Sequence, residues 1–287
     1  MLRRTLVGVA ALAAALLAVS LSAAAPTGAG RARAFPARIV SLSPTVTEDL
    51  FAIGAGKQVV AVDDQSSYPT QAPRTALSGL TPNVEAIVAY HPDLVVVSYG
   101  GTYVDQLEKL GIRVVDEPAA DDLAQAYEEI RDLGRVTGHE RRARSVVRTM
   151  EVQLKRLIQS VPRARRHLTL YHELDQTYYS ATSATFIGRL YRLFGFRNIA
   201  DAADTAHTGY PQLSGEYILA QNPQIVVLAD SKCCGQSAKT VAARPGWQGL
   251  AAVRRHRVIS VDDDVASRWG PRIVQFARAV AAIAKRG

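Results

Sequence analysis

The chain has 287 residues, 48% hydrophobic and 21% charged, with 34 lysines and arginines against 26 aspartates and glutamates for a formal charge of +8. A chain of this length buries a large core and lies near the size at which a single core stops growing, which favours one large domain or two lobes. The positive excess does not make a nucleic-acid interface. Its clusters (Arg141, Arg142, Arg144; Arg163, Arg165, Arg166; Arg254, Arg255, Arg257) sit beside acidic residues or at element ends without interleaved aromatics.

Residues 1–25 read MLRRTLVGVAALAAALLAVSLSAAA, a short basic start followed by an uncharged run that ends in small residues. This is the layout of an export signal. Cleavage is expected after Ala24 or Ala34; the alternative is an uncleaved anchor, because the uncharged run exceeds the roughly 18 residues that mark a membrane span. No cysteine lies near either cleavage point, which excludes lipid attachment there. The remainder is expected to be soluble and outside the cytoplasm, in the periplasm or at the cell surface.

Strands and helices alternate along the chain. RIVSLS (38–43) reads as a strand, TVTEDLFAI (45–53) as a short helix stopped by Gly54, and VVAV (59–62) as the next strand. A helix over 103–110 stopped by Gly111 precedes IRVVD (112–116). The pattern predicts one helix over 121–137 and, after Gly138, a long one over 140–161 with apolar steps of three and four, roughly 33 Å at 1.5 Å per residue. Alternation then resumes with LTLYHEL (168–174), a helix over 183–194 stopped by Gly195, VISVD (258–262) and a last helix over 271–285. Such alternation indicates parallel βα units. The expected fold is α/β: two lobes, 36–138 and 162–287, joined by a single interdomain helix, 139–161.

One sentence is written twice. NVEAIVAYHPDLVVVS (83–98) aligns without a gap with SGEYILAQNPQIVVLA (214–229), and the copies fall on either side of the long helix. In each, a polar residue (Asn83, Ser214) precedes a short helix and a glutamate (Glu85, Glu216) stands two residues on. Capping and the helix dipole, about 0.3 to 1 kcal/mol, account for each glutamate singly. The shared register suggests more: two related lobes presenting equivalent carboxylates to a partner with two basic patches.

Catalytic signatures are missing. There is no G-x-S-x-G, no H-E-x-x-H, no phosphate-binding glycine loop and no carboxylate pair with an acid/base division, so no enzyme is expected. An extracytoplasmic α/β enzyme and a surface interaction protein remain the alternatives. The two cysteines, Cys233 and Cys234, are neighbours: either free thiols or a vicinal disulfide, too few and too close for a metal site of their own.

The segments RIVSLSPTVTEDLFAIGAGKQVVAVDDQSSYP, NVEAIVAYHPDLVVVS and PQLSGEYILAQNPQIVVLAD, with the long helix between, resemble the periplasmic substrate-binding proteins of ABC importers for cobalamin and ferric siderophores, from Arg38 to the last helix. The resemblance implies two Rossmann-like lobes with parallel sheets bridged by a single long α-helix, and a ligand cleft between the lobes. It further implies a monomer without a cofactor of its own that carries a corrinoid or ferric-siderophore chelate, with haem as the alternative, to a permease dimer and its ATPase. In that family a glutamate of each lobe engages permease arginines; by position these are Glu85 and Glu216. Ligand candidates lie on loops at the carboxyl ends of strands. They are Ser43, Pro44, Tyr68, Tyr99 and Tyr103, with Gly100 and Gly101, in the first lobe, and His172, Glu173, Tyr178, Tyr179, Tyr210, Asp264, Arg268 and Trp269 in the second. Ring faces on both sides suit a large planar ligand, and Arg268 suits carboxylates or phosphate. Tyr210 and Arg268 match the aromatic before the second PQ motif and the arginine before the last helix of the cobalamin-binding relatives, whose first-lobe tryptophans have no counterpart here. His172 and Glu173, adjacent in a strand, point to opposite faces, which makes them hydrogen-bonding candidates and not a metal pair.

Overall fold

A computed structural model describes residues 35–286; the expected export segment lies outside them. The first lobe runs β1 (Ile39–Ser41), α1 (Pro44–Ala52), β2 (Val59–Val62), α2 (Val84–Val88), β3 (Leu94–Val97), α3 (Thr102–Lys109), β4 (Arg113–Asp116) and α4 (Leu123–Thr137). After α5 (Glu140–Gln159) the second lobe runs β5 (Thr169–Glu173), α6 (Phe186–Leu193), β6 (Arg197–Asn198), α7 (Gly215–Gln221), β7 (Ile225–Leu228), α8 (Ser231–Cys234), α9 (Ala238–Ala242), α10 (Ala251–Arg254), β8 (Val258–Ser260), α11 (Asp263–Ala266) and α12 (Ile273–Lys285). Among the described residues no helix is long and apolar enough to cross a membrane.

The strand orders are β2-β1-β3-β4 and β6-β5-β7-β8, with parallel pairing throughout. The second sheet thus repeats the first, and the duplicated sentence occupies the same place in each as α2–β3 and α7–β7. Asn83 Oδ1 accepts from Ala86 N (2.8 Å) and Ser214 Oγ from Tyr217 N (3.1 Å), one capping bond per copy. LVVV and IVVL are buried at every position, as interior parallel strands covered on both faces must be.

The helix α5 spans 20 residues, about 30 Å. Gly138, at φ +81°, ends α4 in the left-handed conformation that glycine adopts freely, and α5 starts two residues on. Its buried stripe, Ala143, Val147, Met150 and Leu154, joins Ile130 and Leu133 of α4 and Val280 and Ile283 of α12 in one core that also takes in β1, β3, β5 and β7. The strut is therefore continuous with both lobes, unlike a flexible linker. Element ends differ from the sequence reading where caps decide them: Asp122 caps α4 through the amides of Ala124 and Gln125, and Thr185 caps α6 through Gly188 N. The two-residue β6 gave no sequence signal.

The segment between β8 and α12 reaches into the first lobe. Arg268 Nη1 donates to Glu48 Oε1 (2.8 Å) and its Nη2 to Gln65 O and Asp264 Oδ1 (both 3.0 Å); Arg272 Nε donates to Glu48 Oε2 (2.8 Å). Glu48, on α1, is only 3% exposed. Trp269 Nε1 donates to Glu129 Oε2 on α4 (2.7 Å). Three further carboxyls crowd this junction. Burial, reinforced by Glu129, Glu48 and Glu117, holds Asp49 well above the usual carboxylate range. Burial first, then its acidic neighbours Glu129 and Asp116, pushes Glu117 up to about 7; burial pushes Glu129 up to about 7 against the Trp269 hydrogen bond.

Because Glu117 and Glu129 titrate higher in the folded chain than the ordinary 4.5, the folded form holds more protons between those values. Their stabilising contribution is complete below about 4.5 and is lost as pH rises through about 7. Glu129→Gln, which keeps an acceptor for Trp269, should leave the melting temperature unchanged at pH 4 and raise it by about 2 °C or more at pH 8. An equal difference from wild type at both pH values, measured by calorimetry, would contradict the protonation scheme.

Candidate functional site

Two adjoining cavities lie between the lobes at the carboxyl ends of the sheets, about 590 and 340 Å³, and share Ser267, Arg268 and Trp269. The smaller is walled by the first lobe. Here β1 runs directly into α1, so Ser43 and Pro44 come to the surface of the cleft as the cap and first residue of that helix. Ser98 Oγ, at the end of β3, donates to Ser43 Oγ (2.8 Å), tying the two strand ends together. The larger is walled mainly by the second lobe, with Phe186 at the start of α6, the loop carrying His207 and Tyr210, and Cys233 of α8.

Of the residues singled out in the sequence, the structure brings Ser43, Pro44, Tyr99, Asp264, Arg268 and Trp269 together on the smaller cavity, and Tyr210, Arg268 and Trp269 on the larger. Tyr99 is 59% and Tyr210 53% exposed, one from each lobe at the mouth. Burial raises the Tyr210 hydroxyl's pKa, and Tyr99 adds to the shift.

Six expectations are corrected by position. His172 is fully buried, with Nδ1 hydrogen-bonded to Tyr191 Oη (2.8 Å), and burial pulls it down to about 4, so it is neutral. Glu173 is equally buried on the opposite face of β5 and takes a bidentate pair from Arg244 (2.6 and 2.6 Å). The opposite-face rule held, but both faces of this strand are covered. Tyr178 stacks on Trp247 (5.7 Å between centroids) with the Arg244 guanidinium 5.5 Å from its ring, under the second sheet. Tyr179 is bridged to Gln212 and lines neither cavity. Tyr103 turns back from α3 to donate to Tyr99 O and packs in the first lobe's outer core, where it shapes the loop through Gly100 and Gly101. Tyr68 carries Arg272 over its ring (4.3 Å) in a separate recess beyond Glu48.

The sequence reading passed over Phe186, His207 and Leu80, and took Cys233 as a free thiol or half of a vicinal bridge, without placing it at the cleft. Leu80, 77% exposed on the rim of the smaller cavity, sits in a loop whose composition says nothing of a cleft. Phe186 could have been noticed as an aromatic opening a helix at the carboxyl end of a sheet.

Electrostatics narrow what the cleft can hold. Among the described residues, Arg268 is the one lysine or arginine lining either cavity, and its Nη1 and Nη2 already donate to Glu48, Gln65 O and Asp264. The walls otherwise carry Asp63, Asp64, Asp121, Asp263 and Asp264. No group of three His, Cys, Asp or Glu is placed to hold a metal ion among the described residues. The arrangement is an aromatic-mouthed, hydrogen-bonding receptacle. Away from it, Glu85 and Glu216 are exposed in the first turns of α2 and α7, at equivalent positions of the two lobes.

Comparison with known proteins agrees with this architecture. The chain is 31% identical over 250 residues to an uncharacterised ABC transporter substrate-binding lipoprotein, YvrC, of Bacillus subtilis strain 168, covering 84% of this chain and 77% of that one. It is 32% identical over 250 residues to a cobalamin-binding protein of Halobacterium salinarum, covering 84% and 67%. Among solved structures, the periplasmic heme-binding protein HutB of Vibrio cholerae superposes with a TM-score of 0.73 at 23% identity, over 85% of this chain and 97% of that one, a likeness of fold. The sequence pattern of the periplasmic binding proteins matches residues 39–265, most of the chain, and the protein belongs to that family.

Proposed function

We propose that this protein captures a corrinoid of the cobalamin class in the interlobe cleft, outside the cytoplasm, and hands it as a monomer to the permease of an ABC transporter. In this reading residues 1–25 direct export, the lobes 36–138 and 162–287 form the jaws, and 139–161 is the strut between them. The observation that carries the ligand class is the charge of the cleft: its single arginine is already paired with Glu48 and Asp264, while five aspartates line the walls. A corrin ring rimmed with neutral amides, which donate hydrogen bonds, suits such walls. The propionates of haem and the carboxylates of many siderophores would meet walls on which aspartates outnumber cations. Tyr99 and Tyr210 supply ring faces at the mouth, and Trp269 closes the floor. The similarity to the Halobacterium protein supports the same ligand class.

Titration of tryptophan fluorescence with dicyanocobinamide, cyanocobalamin, haemin and ferric siderophores tests this. Corrinoids should bind at least about tenfold more tightly than haemin; tighter binding of haemin or a siderophore would overturn the assignment. Tyr210→Ala should weaken corrinoid binding by about tenfold without changing the melting temperature. Arg268→Ala should lower both, because it removes one of the two arginines that hold buried Glu48 as well as a wall of the cleft.

Docking is assigned to Glu85 and Glu216, on the strength of their exposure and matched register. Reversing both to arginine should impair cellular uptake of labelled corrinoid and leave the dissociation constant of the purified protein unchanged. A loss of affinity would move them into the ligand site.

A further inference from the structure

Cys233 and Cys234 are joined by a disulfide, both are exposed, and Cys233 lines the larger cavity. They sit just past β7, at the carboxyl end of the second sheet, where a binding crevice is expected. Their turn is firmly built. The Asp263 carboxylate accepts from the amides of Ser231 (2.9 Å), Lys232 (3.0 Å) and Cys233 (2.9 Å) and from the Ser231 hydroxyl (3.0 Å). Lys232 Nζ pairs with Asp262 and Asp264 (both 2.9 Å), and Asp264 in turn holds Arg268. The cysteine turn is therefore fixed to the floor of the cleft.

A disulfide stabilises a fold chiefly by shortening the loops open to the unfolded chain. A bond between sequence neighbours closes no such loop, so stability gives no reason for this one. Exposure rules out core filling. What the bond does change is the chemistry of the cavity wall: a disulfide is neutral and a poor metal ligand, whereas a thiol is a soft ligand once its proton leaves.

We propose that the Cys233–Cys234 pair is a redox-controlled contact site for the metal centre of the bound chelate. The proposal rests on the reading of the ligand as a corrinoid. Oxidised, the pair presents an inert wall. Reduction by a dithiol of the extracytoplasmic thiol–disulfide exchange class transfers two electrons and two protons to the pair, and the reductant leaves as its own disulfide. Cys233 then turns a thiol into the cavity. As its sulfur bonds the metal, the thiol proton passes to solvent and the metal's axial water departs. The metal replaces the thiol proton, so ionisation accompanies metal binding. The class of ligand selected by the reduced form is therefore a chelate with an exchangeable axial position.

The test compares aquacobalamin, whose axial water exchanges, with cyanocobalamin, on oxidised protein, on protein reduced with a phosphine and freed of it, and on Cys234→Ser and Cys233→Ser. Reduced protein and Cys234→Ser, which leaves Cys233 free, should bind aquacobalamin at least about tenfold more tightly than oxidised protein, with a new cobalt–thiolate absorption band. Cyanocobalamin affinity should change less than about twofold, and Cys233→Ser should show no band. Unaltered spectrum and affinity for aquacobalamin in both the reduced protein and Cys234→Ser would overturn the proposal while leaving the corrinoid reading intact. Failure of every form to bind either cobalamin would overturn both.

Discussion

The buried carboxylate of Glu48 is the constraint on which the rest of the structure depends. It stands on α1 of the first lobe and is held by two arginines of the second, Arg268 and Arg272. An ion withdrawn from water is tolerated only when it is paired, and leaving it without a partner costs about 3 to 5 kcal/mol. The lobes are thus bound to one arrangement at the floor of the cleft. Arg268 carries the constraint outward through Asp264 to Lys232 and the cysteine turn, and its neighbour Trp269 carries it to Glu129. Adjustment to a ligand falls to the rim, where Tyr99, Tyr210 and Leu80 are exposed and lightly held.

The same junction gathers more acid than it neutralises. With Asp49, Glu117 and Glu129 all raised by burial, and Asp49 and Glu117 also by their acidic neighbours, protons are part of the interface near neutrality. The long helix adds stiffness by a different route, since its stripe is built into one core with both lobes. A receptacle of this kind is largely preformed, so its selectivity comes from the chemistry of its walls more than from closure.

The architecture was legible because it rests on local and periodic signals. Central parallel strands must be apolar on both faces, so LVVV and IVVL announced themselves, and their flanking caps and glycines marked two copies of one unit. Ser43, Pro44, Tyr99 and Tyr210 were legible as cleft residues because each lies on a loop or helix start that opens at the cleft. His172 and Glu173 failed the same rule for a tertiary reason: Tyr191 and Arg244, 19 and 71 residues away, cover the two faces of β5. Arg268 was read as a ligand contact from its place before the last helix. That its charge is already spent on Glu48, 220 residues earlier, has no local trace. The recess behind Tyr68 and the cavity position of Cys233 depend likewise on how the two lobes meet.

What the cleft carries in the cell tests the central claim most directly. Native mass spectrometry of the protein isolated from its own producer reads the mass of any small molecule held between the lobes. The account predicts a complex heavier than the protein by one corrinoid, released on denaturation; a mass increment of haem or of a ferric siderophore would contradict it.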